Sequence, residues 1–110
     1  LSLHRKRVVV IESDDIVLAL ALHVLKRQGF DVDTASDAPA ARELLARKPD
    51  IVVADALLIE PLRDVLAPIA RHLIITGRDG AISDAACAVL RKPIEVDLLV
   101  SAMARCADGH

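Results

Sequence analysis

Aromatic side chains are almost missing from this chain: it has no tryptophan or tyrosine, and Phe30 stands alone. A core must therefore be filled by Ala, Val, Leu and Ile. With 54% of the 110 residues apolar, there is enough of them for one domain, expected over residues 5–107. Long apolar runs are missing too. The longest, Ile16 to Leu22, ends at His23, far short of the ~20 residues of a membrane span. Positive charge is not in excess. A formal charge of −2 argues against the phosphate-neutralising surface that nucleic-acid binding needs, and the run His4-Arg5-Lys6-Arg7 reads as a solvated lead-in to the first strand. Cysteine is scarce. Cys87 and Cys106 are too few for a disulfide framework and read as small buried hydrophobes in a reducing compartment. No signal-peptide pattern is visible, which predicts a cytoplasmic protein. His4, His23 and His72 form no metal spacing with the cysteines. Gly-rich phosphate loops and nucleophile elbows are absent as well.

What is present is punctuation by short apolar runs: Val8–Ile11, Phe30–Val32, Ile51–Ala54, Leu73–Thr76 and Ala88–Leu90. Continuous runs rich in Val and Ile suit strands buried on both faces. Between them lie segments with helical spacing. The first runs from about Asp15 to Gln28 and stops at Gly29. The second runs from about Ala38 to Lys48, with Asp37 as N-cap and Pro39 in the first turn. A third follows Pro61 to about Arg71, and a last one follows Pro93 to about Cys106. Between strands four and five only a turn or so of helix fits, around Ile82–Ala86, with Asp79-Gly80 as a turn. Alternating strand and helix imply a parallel sheet with right-handed crossovers and helices on both faces.

In such sheets ligands bind beyond the carboxyl ends of the strands. Glu12, Ser13, Asp14 and Asp15 follow strand one, Asp55 follows strand three, Thr76-Gly77 ends strand four, and Arg91-Lys92-Pro93 ends strand five. Acids, a hydroxyl and a lysine would meet at one rim. That set suits a hard cation together with a phosphoryl group.

The strings "VVVIESDD", "KPDIVVAD", "LIITG" and "RKPIE" together resemble the response-regulator receiver domain over essentially the whole chain. The resemblance implies an α/β, flavodoxin-like, doubly wound sheet of five parallel strands in the order 2-1-3-4-5, flanked by about five helices. It implies Asp55 as phosphoacceptor, with Thr76 and Lys92 as its partners at the acyl phosphate. It also implies an Mg²⁺ site made of Glu12, Asp55 and the Leu57 backbone carbonyl, and a cis Lys92–Pro93 bond. The implied partner is a histidine kinase or histidine phosphotransferase, with a homodimer as a further option.

Departures from the pattern give an alternative its footing. Ser13 stands where the family carries a second carboxylate, so Mg²⁺ binding should be weakened; Asp14 could reach in, although a helix N-cap is its simpler role. Val89 replaces the usual strand-five aromatic. Only 20 residues lie between Asp55 and Thr76 and 15 between Thr76 and Lys92, so helices three and four must be trimmed. The alternative is a degenerate receiver, acting as a phosphorylation-independent interaction module. A flavodoxin-like enzyme or small-ligand binder is a weaker third reading, because no cofactor loop is visible. On a helical wheel centred on Val17, Leu18 and Leu22 fall about 100° and 140° from the buried face, forming a stripe for partner docking or for a dimer contact.

Overall fold

Apolar residues two apart in each strand face the same side, and the chain uses both sides. In the computed structural model, which describes residues 5–78 and 86–107, five strands form one sheet: β1 (Arg7–Ile11), β2 (Asp31–Ala35), β3 (Ile51–Asp55), β4 (Leu73–Gly77) and β5 (Ala88–Arg91). Their order is β2-β1-β3-β4-β5 and every pairing is parallel, as expected. Val8 and Val10 pack with α1 (Asp15–Arg27) and α4 (Val96–Ala107) through Leu25, Leu99 and Met103. Val9 and Ile11 pack on the other side with α2 (Ala38–Leu45) and α3 (Arg63–Leu66) through Ala41, Leu45 and Leu66. Such two-sided burial explains why β1, β3 and β4 read as unbroken apolar runs.

Both long helices of the first half start at aspartate caps. Asp14 accepts from the N–H groups of Ile16 and Val17, and Asp37 from that of Ala40, each satisfying donors that the first turn leaves open. The expectation for α2 overran: the helix closes at Leu45, and Lys48 adopts a positive φ of 55°. β2 begins at Asp31 and reaches Ala35, further than the apolar run suggested, because an edge strand tolerates Asp31 and Asp33 on its exposed side.

The third helix is reduced further than expected. Between β3 and β4 the chain runs through 3₁₀ turns at Ala56–Leu58, Glu60–Leu62 and Ala67–His72, around a single α turn, α3. Pro61 and Pro68 each remove an N–H donor, and Ile69 leaves helical geometry (φ −114°, ψ 20°). Arg42 ties this segment down, with Nη1 and Nη2 donating to the Asp64 carboxylate at 3.1 and 2.7 Å and Nη2 also to the Pro61 carbonyl at 2.9 Å. The helical turn expected around Ile82–Ala86 falls almost wholly outside the described residues.

Cys87 and Cys106 form a disulfide, which corrects the reading of two free buried thiols. Topology is the reason. Cys87 N–H donates to the Leu73 carbonyl at 2.8 Å, and His72 Nδ1 lies 2.8 Å from the Cys106 carbonyl, so both cysteines meet at the start of β4. Nothing in their spacing along the chain announces that meeting.

Candidate functional site

Burying an ionisable or hydroxyl group is costly unless it is partnered, so buried polar groups in an aliphatic core mark positions worth tracing. Among the described residues, the buried polar or charged side chains are Glu12, Asp55 and Thr76. All three sit at the carboxyl ends of strands. Glu12 follows β1, with its N–H donating to the Ala35 carbonyl at 3.0 Å; Asp55 ends β3; Thr76 is its register neighbour on β4.

Lys92 reaches this group from the turn after β5, where its N–H donates to the Gly77 carbonyl at 2.8 Å. Its Nζ lies 2.7 Å from Glu12 Oε1 and 3.5 Å from Asp55 Oδ2. Asp55 Oδ1 accepts the Leu57 N–H at 3.1 Å, a contact the 3₁₀ turn after β3 provides, and Oδ2 accepts the Ser13 hydroxyl at 3.1 Å. The second Glu12 oxygen accepts the Asp14 N–H at 3.1 Å. The neighbouring carboxylates titrate in opposite directions. Burial, only partly offset by Lys92 and the Asp14 N–H, pushes the Glu12 carboxyl up, and the proximity of Asp55 adds to the rise. Burial alone would raise Asp55 too. The Leu57 N–H, Glu12, the Lys92 charge and the Ser13 hydroxyl outweigh it and hold Asp55 below the usual carboxylate range. Of the two, Asp55 is therefore the carboxyl that ionises the more readily.

These groups line a cleft of about 860 Å³, with Glu12, Ser13, Asp55, Leu57, Arg78 and Lys92 on its walls. Among the described residues no cluster of three or more Asp, Glu, His or Cys side chains is arranged for a metal. Two carboxylates and a backbone carbonyl are nonetheless the hard oxygen donors that Mg²⁺ accepts alongside water, so the residues fit that ion in type. Thr76 is buried beside Asp55 and is not among the cleft-lining residues.

No family model matches the sequence. Over 54 residues the chain is 35% identical to the alkaline phosphatase synthesis transcriptional regulatory protein PhoP of Bacillus subtilis (strain 168), a match covering 48% of this chain and 22% of that one. The structure superimposes on a response regulator receiver domain protein of Clostridium thermocellum with a TM-score of 0.81 at 21% identity, covering 94% of each chain. A signal receiver domain of an HD domain-containing protein from Pseudomonas fluorescens Pf-5 gives 0.81 at 20% identity, covering 96% of each. This chain has the receiver-domain fold.

Within the receiver fold, the Lys92–Pro93 bond is cis, as the resemblance implied, and Val89 is exposed on β5 where an aromatic was missed. Ser13, standing where the family carries a carboxylate, donates its hydroxyl directly to Asp55. Asp14 uses its carboxylate as the α1 cap, the simpler of its two roles. The solvent exposure expected of Leu18 and Leu22 needs correction. Leu18 packs against the core and Leu22 is half-buried, whereas Ile16 and Leu20 are 82% and 42% exposed. The buried residues of α1 are Ala21, Val24 and Leu25, so its inward face is turned about 40° from the one centred on Val17. Sequence reasoning also passed over Arg78, which adds a cation to the cleft wall. Its place two residues after Thr76, at the end of β4, was the available signal.

Proposed function

We propose that residues 5–107 are a phosphoacceptor module of a two-component phosphorelay, taking a phosphoryl group on Asp55 from a histidine kinase or histidine phosphotransferase. The observation that carries this reading is the buried Asp55 carboxylate at the foot of an open cleft, with Lys92 Nζ 3.5 Å from its Oδ2. In the transfer, an Asp55 oxygen bonds to phosphorus while the phosphorus–nitrogen bond of the donor histidine breaks. Its electron pair returns to the imidazole, which takes up a proton if it leaves as the neutral ring. Positioning does most of the work in such a transfer. Leu57 N–H fixes one oxygen of Asp55, and the other lies beside the cation that offsets the incoming negative charge. Glu12, Asp55 and the Leu57 carbonyl would hold Mg²⁺, which supplies further neutralisation of the phosphoryl oxygens. Ile16 and Leu20, on the α1 flank next to the cleft residue Val17, are the surface for the donor's helices. The module acts in the cytoplasm.

Incubation with Mg²⁺ and a small-molecule phosphodonor, read by intact mass, tests this. A phosphate-sized gain is expected in the wild-type chain and not in Asp55→Asn. No gain at any Mg²⁺ concentration would leave the second reading, a phosphorylation-independent interaction module. Ser13 favours that reading, because its hydroxyl occupies the Asp55 oxygen nearest Lys92.

A further inference from the structure

The chain has two cysteines, and they are bonded to each other across the fold, Cys87 just ahead of β5 and Cys106 in the last full turn of α4. We propose that this pair is a redox-responsive clamp, opened and closed by exchange with low-molecular-weight thiols and disulfides of the glutathione class, that sets how firmly β5, Lys92 and α4 are held on the sheet. The proposal is independent of whether Asp55 accepts a phosphoryl group.

Placement is the first ground. The loop closed by the bond, of sequence separation 19, contains β5, the Lys92–Pro93 turn and α4. Among the described residues, β5 is an edge strand of four residues, paired on one side only, to β4. It therefore depends on α4 and on the bond at its entrance more than an interior strand does. A tether at that entrance acts on the element that delivers Lys92 to the cleft at its other end.

Access is the second ground. Cys106 is fully buried, while Cys87 is half-buried at the edge of the same core cluster. An incoming thiolate attacks Cys87 Sγ, the sulfur–sulfur pair leaves on Cys106 Sγ, and that sulfur takes up a proton. A second thiol then attacks the mixed disulfide, releasing the Cys87 thiol and one small-molecule disulfide. Closure is the same sequence reversed, with the small-molecule disulfide as oxidant. The reduced state needs no rebuilt core, since a thiol is a small apolar group and the core cluster that holds Cys106 is apolar, with Val24, Leu99 and Met103 among its members.

The test equilibrates the wild-type chain across a series of reduced-to-oxidised glutathione ratios, traps free thiols with a maleimide, and reads intact mass alongside native-state amide exchange. Reversible interconversion without global unfolding is expected. Reduction should speed exchange of the Lys92 amide about tenfold and leave the β1 amides of Val9 and Val10 unchanged. Cys87→Ser should show the fast Lys92 exchange whatever the buffer; should that variant not fold, reduced wild-type protein supplies the same comparison. A bond that opens only on unfolding would make it a fixed staple and overturn the proposal. Thiols that stay reduced under excess oxidised glutathione, or equal Lys92 exchange in both states, would overturn it equally.

Discussion

The two halves of this sheet are held by different means. From β1 to β3 the crossovers are helices of 13 and 8 residues, each started by an aspartate side chain that caps its open N–H groups. From β3 onward the first crossover is 3₁₀ turns around four residues of α-helix, with no side-chain cap on α3. Tertiary ties stand in for local ones there: Arg42 to Asp64 and Pro61, the Cys87–Cys106 bond, and His72 to the end of α4. A helix this short cannot stabilise itself, because nucleation is not repaid by propagation within one turn. Trimmed crossovers therefore depend on what they are fastened to.

If so, the second half should be most sensitive at its buried anchor. Leu62 sits in the 3₁₀ turn before α3 and is fully buried against the β3–β4 face. Leu62→Ala should cost about 3 kcal/mol in urea unfolding, the transfer and cavity cost of a buried leucine. A loss below ~1 kcal/mol would mean that the turns relax around the gap and that the ties, not the anchor, hold the segment.

The halves meet at the acidic cleft, where Glu12 and Ser13 come from the first and Lys92 from the second. With Ser13 neutral, one Lys92 ammonium serves both carboxylates, Glu12 at 2.7 Å and Asp55 at 3.5 Å, and Arg78 adds a second cation to the cleft wall. Ser13→Asp adds one negative charge and removes a hydrogen bond to Asp55. Calorimetric titration should find Mg²⁺ bound about tenfold more tightly, since affinity for a hard cation follows ligand charge. Unchanged affinity would show that Lys92, rather than the missing carboxylate, limits the site.

Much of this was legible in the residues, and the failures share a cause. β1, β3, β4, β5, α1 and α4 follow from apolar period and punctuation, which are local properties. So is the rim set of Glu12, Asp55 and Lys92, because strand ends fix it. Misjudged features depend on contacts between distant residues. β2 extends through Asp31 and Asp33 because it lies at an edge. The face of α1 is set by how the helix seats on the sheet, which moved the exposed stripe from Leu18 and Leu22 to Ile16 and Leu20. The Ser13–Asp55 bond joins residues 42 apart, and the disulfide depends on β4 and β5 being neighbours.

The smallest expected effect isolates one of the tertiary ties by its charge. Beside Arg42, the exposed Asp64 carboxyl is held below its ordinary value of 3.8. A depressed carboxyl contributes stability that is complete above that ordinary value and disappears as pH falls through the lower, folded-state one. Asp64→Asn should therefore lower the thermal midpoint slightly near neutral pH, and the difference from wild type should vanish once the medium is more acid than the folded-state value. High salt at neutral pH should shrink it too, because the pair faces solvent. A deficit that survives both acid and salt would place the contribution in the Arg42 bond to the Pro61 carbonyl and in packing. The trimmed crossover would then be fastened by geometry rather than by charge.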